Sequence, residues 1–239
     1  MRKPGLCFIA VFVVAFIVAA CGRQVTPNPP GLGPGGAPPG YIAIHFDTAA
    51  TFNFSKYQYM IVFNTTGNGI TPSTDTIQTN WAGYSGMLMA YGNGAVSAAK
   101  FIKLLHVGHQ PPGWIFIGTT PQTLSYNPNS NGTGTEFSML AQKQIFTVLT
   151  SPSPSSSPAS KWTFNAFTAQ GNSGGQWQFF DSMGAGGPID PQWVSPTLCM
   201  TESFDNTYFA LDTTTIPDPS AQIMSVEISN NPVHPTSCP

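Results

Sequence analysis

Tyr57–Asn64 reads Tyr-Gln-Tyr-Met-Ile-Val-Phe-Asn, and this stretch decides the fold class. Successive side chains of a β-strand point to opposite faces of the sheet. Here both faces are apolar, with Ile61 and Phe63 on one and Met60 and Val62 on the other. Apolar, β-branched and aromatic residues on both faces are typical of a strand with both sides covered. The stretch therefore predicts a central strand in a sheet that is buried on both faces.

The segments around it are also short apolar runs, separated by Gly, Pro, Asn, Ser and Thr. In Tyr41–Asp47 the apolar residues Ile42, Ile44 and Phe46 recur at every second position, which predicts a half-buried strand. The further predicted strands are Tyr84–Tyr91, Trp114–Ile117, Phe137–Thr150, Trp162–Ala169, Gln176–Phe180, Thr207–Asp212 and Gln222–Ser229.

Ala95–Val107 is the one ambiguous segment, because its Ala, Lys, Phe, Ile and Leu residues suit either a short helix or a strand. We favour a strand, since its neighbours are strands and Gly92-Asn93-Gly94 resembles a hairpin turn. About eight to ten short strands with turn signals between them predict an all-β protein, either a β-sandwich or a jelly roll.

Two low-complexity segments divide the chain. Residues 22–40 are rich in Pro and Gly, and together with Cys21 they are predicted to form a tether that has no core of its own. Residues 151–160 are rich in Ser and Pro, and we interpret them as a flexible loop within one domain at 41–239. The alternative is that this loop separates a second, smaller domain at 161–239.

The N-terminus has the parts of a secretory signal at residues 1–20. Arg2 and Lys3 supply positive charge, an apolar run follows, and small residues precede Cys21. The quartet Val18-Ala19-Ala20-Cys21 closely resembles the lipobox of bacterial lipoproteins. That resemblance implies diacylglycerol on the Cys21 thiol, cleavage before Cys21, and acylation of the new N-terminus by a fatty acid such as palmitate.

The lipobox resemblance also makes a prediction about location. A lipoprotein works on the extracytoplasmic side of a bacterial membrane, and Gly22 in place of Asp favours the outer membrane or cell surface under the enteric sorting rule. One alternative is an uncleaved transmembrane helix, but Leu6–Ala20 is about 15 residues long and a spanning helix needs about 20. The other is a signal peptide that ends in cysteine by chance.

Charge composition bears on the partners. Loss of Arg2 and Lys3 with the signal would leave six of the eight Lys and Arg against ten Asp and Glu, a net charge of −4. Without a basic patch, nucleic acid is not expected as a partner. The low charge, 8% of residues, and the many Asn, Thr, Ser and aromatic residues instead suit an extracytoplasmic β-protein with a neutral polar surface.

Two cysteines remain once Cys7 leaves with the signal and Cys21 carries lipid. Cys199 and Cys238 are an even pair in an oxidising compartment, which predicts a disulfide that secures the C-terminus. A metal site is the alternative, although His234 is the only histidine close to either cysteine in sequence.

Gly171-Asn172-Ser173-Gly174-Gly175 resembles the box around the nucleophile of trypsin-like serine proteases. The resemblance implies that Ser173 is a nucleophile beside an oxyanion hole made by backbone N–H groups. However, the histidine motif of that family is missing, since His45 and His106 lie in unrelated contexts. We therefore interpret the segment as a hairpin loop and predict no enzymatic activity, with a serine hydrolase as the less favoured alternative.

Metal and cofactor sites are not predicted. His106 and His109 could ligate a metal, but no third ligand follows at a diagnostic spacing, so strand-end histidines are favoured. The scattered aspartates lack an Asp-x-Asp-x-Asp run, so calcium is also not favoured. They are Asp181, Asp190, Asp205, Asp212 and Asp218.

Aromatic residues suggest a ligand class. Trp114 and Trp162 lie in alternating strands and are expected in the core, whereas Trp81 and Trp193 lie in loop-like sequence and are candidates for exposure. Exposed aromatic rings on β-sandwiches stack on sugars. We therefore predict a non-enzymatic binding module for an extracytoplasmic ligand, with carbohydrate as the class considered. The alternative is an assembly or surface-layer subunit that self-associates through strand edges.

Overall fold

A computed structural model describes residues 36–74, 83–94, 96–105, 113–147, 158–171, 177–210 and 216–238. Its strands are β1 (Tyr41–Thr48), β2 (Gln58–Asn64), β3 (Gly86–Asn93), β4 (Val96–Leu105), β5 (Gly113–Ile117), β6 (Leu124–Asn127), β7 (Glu136–Gln142), β8 (Lys161–Gly171), β9 (Trp177–Ser182), β10 (Leu198–Cys199), β11 (Phe204–Phe209) and β12 (Ile223–Asn231). A short 3₁₀ helix, Lys143–Thr147, follows β7. Within these ranges, no helix has the length and apolar character needed to cross a bilayer.

The strands form two antiparallel sheets, which confirms the predicted all-β sandwich. Sheet 1 has the order β11-β12-β1-β7-β6. Sheet 2 has the order β10-β8-β2-β3-β4-β5, and β9 pairs with β8 on the same side as β10. The two sheets share one core, in which the ring of Phe46 from sheet 1 lies 5.9 Å from the ring of Tyr59 in sheet 2.

Strand β2 is central, as its doubly apolar pattern predicts. It pairs with β8 on one side and β3 on the other, and six of its seven residues are buried. Ile61 and Phe63 belong to the core between the sheets, whereas Met60 and Val62 belong to a second apolar cluster on the far side of sheet 2. Each such side chain, when fully buried, contributes roughly 1.5 to 3 kcal/mol.

The second apolar cluster is flanked by the loop between β2 and β3. Asn165 on β8 donates through Nδ2 to the carbonyl of Pro72, and Thr163 donates through Oγ1 to the carbonyl of Ile70. In the same loop, Tyr84 is buried in the cluster and donates to the carbonyl of Ser73. These bonds fix the described parts of the loop beside the outer side of sheet 2.

The segment 161–239 does not build a sheet of its own. Strand β8 pairs with β2 in sheet 2, and β12 pairs with β1 in sheet 1, so the C-terminal strands are divided between the two sheets. Leu32–Pro239 accordingly forms one compact unit. Most of the Ser/Pro segment, residues 151–157, lies outside the described residues.

The chain enters the sandwich at the middle of sheet 1. The N–H of Gly40 donates to the carbonyl of Asn231 at 2.7 Å, and the carbonyl of Gly40 accepts from the N–H of Lys143 at 3.0 Å. Gly40 is thus held between the end of β12 and the residue after β7. Directly after it, β1 continues between the same two strands.

The strand predicted over Phe137–Thr150 is wrong at residues 143–147, and residues 148–150 lie outside the described part of the chain. Its partner β1 begins at Tyr41, opposite Gln142, so among the described residues β1 offers no further partner beyond that point. The chain turns into the 3₁₀ helix instead, which places Ile145 and Phe146 in the core at the end of the sandwich.

Other strand predictions hold with small shifts in their bounds. The ambiguous segment at 95–107 contains a strand, β4, which pairs with β3 through a hairpin whose Gly94 has a φ of 66°. Strand β11 begins and ends three residues earlier than predicted, and the short strands β6 and β10 were not predicted.

The predicted disulfide is present. Cys199 and Cys238 are bonded, with their Cα atoms 5.8 Å apart. Two hydrogen bonds secure the same tail: the N–H of Thr236 donates to the carbonyl of Thr201, and the N–H of Cys238 donates to Glu202 Oε1, each at 2.9 Å. The C-terminal residues are therefore attached to the β10–β11 turn.

Replacing both cysteines, Cys199→Ser with Cys238→Ser, should lower the free energy of unfolding by roughly 2 to 4 kcal/mol. The bond closes a loop with a sequence separation of 39, and its loss restores conformational entropy to the unfolded chain. Urea denaturation of both proteins measures the difference, and a reductant should produce the same shift in the wild type. Equal denaturation midpoints in oxidising buffer would contradict this role.

Candidate functional site

The outer face of sheet 1, meaning the side chains of its strands that point away from the core, is polar. In β1 the buried residues Ile42, Ile44 and Phe46 alternate with outward-facing positions that include His45 and Asp47. The strand register aligns these positions into rows. One row holds Phe209, Ser225, Asp47 and Glu136, and the next holds Thr207, Glu227, His45 and Ser138.

The central group of this face is the imidazole of His45. Its Nδ1 lies 3.2 Å from Oε1 of Glu136 on the neighbouring strand β7. The same carboxylate oxygen accepts a hydrogen bond from the hydroxyl of Ser130 in the β6–β7 loop. The side chains of His45 and Glu136 are both partly solvent-exposed, so a bound molecule could reach them.

Two further carboxylates are each held by a serine of β12. Asp47 Oδ2 accepts from the hydroxyl of Ser225, and Asp205 Oδ1 accepts from the hydroxyl of Ser229, each at 2.8 Å. Hydrogen bonds between neighbouring strands thus orient the acidic groups. Because these side chains are already restricted, a ligand that bound them would lose less conformational entropy.

The acidic groups oppose each other electrostatically. Partial burial raises the pKa of Asp47, and the charge of Glu136 raises it further, although the Ser225 hydroxyl acts against both effects. Burial also raises the pKa of Glu227, as does its neighbour Asp205. Like charges that lie directly opposite in a sheet destabilise it. Ionisation of Asp47 beside Glu136 therefore opposes folding.

Carboxylates elsewhere have structural partners. Asp218 accepts hydrogen bonds from Lys56 Nζ, the Tyr57 hydroxyl, and the N–H and hydroxyl of Ser220. These contacts, with those to Ser220 largest, hold the pKa of Asp218 well below its ordinary value. They join the β1–β2 loop to the turn before β12, so this carboxylate stabilises the fold.

Asp190 and Asp181 have similar roles. Asp190 accepts hydrogen bonds from backbone N–H groups of its own loop, at Ala185, Gly186 and Gln192. The buried Asp181 of β9 accepts the N–H of Ile223 on β12 and thereby joins the two sheets. Across the described ranges, no group of three or more His, Cys, Asp or Glu is arranged to hold a metal ion.

Trp193 lies in the loop between β9 and β10 and is half-buried. Its ring contacts the core residue Phe164 edge-on, with 5.4 Å between the centroids. Trp81 lies outside the described residues, so the described structure does not bring the two candidate tryptophans together. Trp162 is buried in the core, as predicted.

The other sequence candidates fall outside the described residues. These are Cys21, His106, His109, Ser173 and Asp212. The hairpin predicted around Ser173 is supported by the pairing of β8 with β9, and the hydrolase interpretation of Ser173 stays a prediction.

Sequence reasoning did not single out Asp47, Glu136, His45 or Glu227. The only available signal was alternation, which places polar residues on the outward side of each strand. The strand order was needed to show that β1, β7 and β12 are neighbours. No protein-family model, curated protein or solved structure matches this chain, so the site is interpreted from its geometry.

Asp47→Asn should raise the free energy of unfolding at pH 7 by about 0.5 kcal/mol, because it removes a charge that is partly buried and lies opposite Glu136. A raised pKa means that ionisation of Asp47 opposes folding, so the difference from wild type should vanish as the pH falls below 3.8. Urea denaturation at pH 7 and at acidic pH measures both effects.

Asp218→Asn is the matched control, and its change in the free energy of unfolding should have the opposite sign. Because the pKa of Asp218 is lowered, its charge stabilises the fold above pH 3.8, and this stabilisation is lost as the pH falls through the lower folded value. The variant should be less stable than wild type at pH 7, by about 1 kcal/mol. If both variants changed the free energy of unfolding in the same direction at pH 7, the distinction between the two carboxylates would be contradicted.

Proposed function

We propose that this chain is a lipid-anchored extracytoplasmic binding module that holds a glycan on the outer face of sheet 1. The observation that supports it is the placement of Asp47 directly opposite Glu136 on an exposed face, beside His45. This arrangement opposes folding, and polar groups kept in place against folding are typical of binding sites. No covalent step on the ligand is part of the proposal.

The chemistry of the face suits a polyhydroxylated ligand. Carboxylates accept hydrogen bonds from sugar hydroxyls, and such charge-assisted bonds are stronger than neutral ones. Ser138 and Thr207 add hydroxyl groups in the His45 row. At about 4.8 Å between strands, five strands span about 19 Å, which gives room for an extended chain of sugars.

Aromatic groups lie at opposite ends of this face. Phe209 on β11 is 61% exposed and occupies the row of Asp47. Tyr41, at the start of β1, is half-buried and donates its hydroxyl to the carbonyl of Gln122. Aromatic rings of this kind offer apolar faces to sugar rings. The negative charge of the face favours neutral or amine-bearing glycans over acidic ones.

The binding test uses a glycan array that includes neutral, amine-bearing and acidic polysaccharides, followed by titration of the retained glycans. Glu136→Gln keeps the shape of the side chain but removes its charge, and it should weaken binding about tenfold or more. Glu202→Gln is the matched control, because Glu202 lies in the β10–β11 turn, and its binding should equal that of wild type. Equal affinity of all three proteins, or no retention of any glycan, would refute the proposal.

The anchor rests on the lipobox resemblance at Cys21. Cells grown with a palmitate analogue should incorporate the label into this protein, and Cys21→Ser should abolish the label, because the thioether cannot form. Cys7→Ser is the matched control and should keep the label. Intact mass measurement that finds a free thiol at Cys21, or a leader that is still attached, would refute the anchoring and the location together.

A further inference from the structure

Within the described ranges, β11 forms one edge of sheet 1. The one strand with which β11 pairs among the described residues is β12, through a continuous antiparallel register from Phe204 opposite Asn230 to Phe209 opposite Ser225. Just beyond β11, the N–H of Ala210 donates to the carbonyl of Met224 at 3.2 Å. Hydrogen-bonded and non-bonded pairs alternate along an antiparallel ladder. This bond therefore determines which residues of β11 direct their backbone groups towards β12.

Alternate residues of a strand direct their backbone groups to the same side. Because Ala210 faces β12, residues 204, 206 and 208 also direct their backbone groups towards β12. The N–H and C=O groups of Asp205, Thr207 and Phe209 consequently point away from the sheet. None of these six groups has a backbone hydrogen-bond partner among the residues that the structure describes. All three residues are exposed, so the edge is open to solvent.

This edge lacks the features that usually prevent strand-to-strand association. Natural edge strands are blunted by lysine, proline, bulges or short length. Strand β11 reads Phe-Asp-Asn-Thr-Tyr-Phe, has no bulge against β12, and contains a single charge, at Asp205. By contrast, β6 at the opposite edge of sheet 1 is only four residues long.

We propose that β11 pairs with the β11 of a second copy of this chain, antiparallel, about a two-fold axis at Thr207. In that register Thr207 lies opposite the partner's Thr207, and Asp205 lies opposite the partner's Phe209. The outward N–H groups of each copy then meet the outward carbonyls of the other, which completes six hydrogen bonds. The outward backbone groups of the edge are therefore complementary to those of a second copy in this register.

Charge supports a second copy as the occupant. The two Asp205 carboxylates lie at opposite ends of the pairing, so no like charges face each other directly. A two-fold contact of this kind uses the same surface on both copies and closes on itself, which gives a dimer and not a filament. The pairing would join two copies of sheet 1 into one ten-stranded sheet. It does not depend on glycan binding or on the lipid.

Sedimentation equilibrium of the mature chain, secreted behind a cleavable leader with Cys21→Ser, tests the pairing. Wild type should be a dimer. Thr207→Pro removes the N–H at the two-fold axis, where an edge strand tolerates proline because that N–H faces solvent. Its dissociation constant should rise about tenfold or more, since two of the six hydrogen bonds are lost. Thr207→Val keeps the N–H and is the matched control, with an unchanged dissociation constant.

A cross-link gives a second measurement if the proline variant fails to fold. Hydrogen-bonded residues that lie opposite in an antiparallel pair have Cα atoms about 5.5 Å apart, which is within disulfide range. Thr207→Cys should therefore oxidise to a covalent dimer, whereas Thr133→Cys, in the exposed β6–β7 loop, should not. A monomeric wild type, species larger than a dimer, an unchanged constant in folded Thr207→Pro, or equal cross-linking of both cysteines would overturn the proposal.

Discussion

The burial of β2 on both of its faces is the constraint on which the rest of the structure depends. One face builds the core that joins the two sheets, and the other supports a second apolar cluster. Sheet 2 therefore has no face left for a ligand near its centre. The solvent-facing side of sheet 1, where β1 turns Ile42, Ile44 and Phe46 inwards, is free to carry polar groups. The division of roles between the sheets follows from the composition of a single strand.

The sequence predicts the strands better than their arrangement. Alternation at Tyr41–Asp47 and the doubly apolar run at Tyr57–Asn64 are local signals, and both strands form where expected. The strand predicted over Phe137–Thr150 ends early for a non-local reason, since its partner β1 begins opposite Gln142. Strands β6 and β10 are short and form through pairing with a neighbouring strand, so no local sequence pattern predicts them.

The candidate site shows the same limit. His45, Asp47 and Glu136 are ordinary polar residues of alternating strands, and nothing in the sequence connects Glu136 to the other two, because 91 residues separate it from His45. The aspartates that the sequence makes conspicuous, such as Asp190 and Asp218, have structural roles in loops. Electrostatics separates the two kinds, since the pKa is raised for Asp47 and lowered for Asp218.

The position of Gly40 has a mechanical consequence. Gly40 leads directly into β1, which is hydrogen-bonded along both edges, to β12 and to β7. Tension applied at the N-terminus would act along the strand and load both ladders in shear, so many hydrogen bonds would share the force at once. His45 and Asp47 belong to this same strand. In the proposed anchored binding module, a pull between a membrane and a ligand on that face would therefore pass through β1 and leave sheet 2 and the disulfide without load.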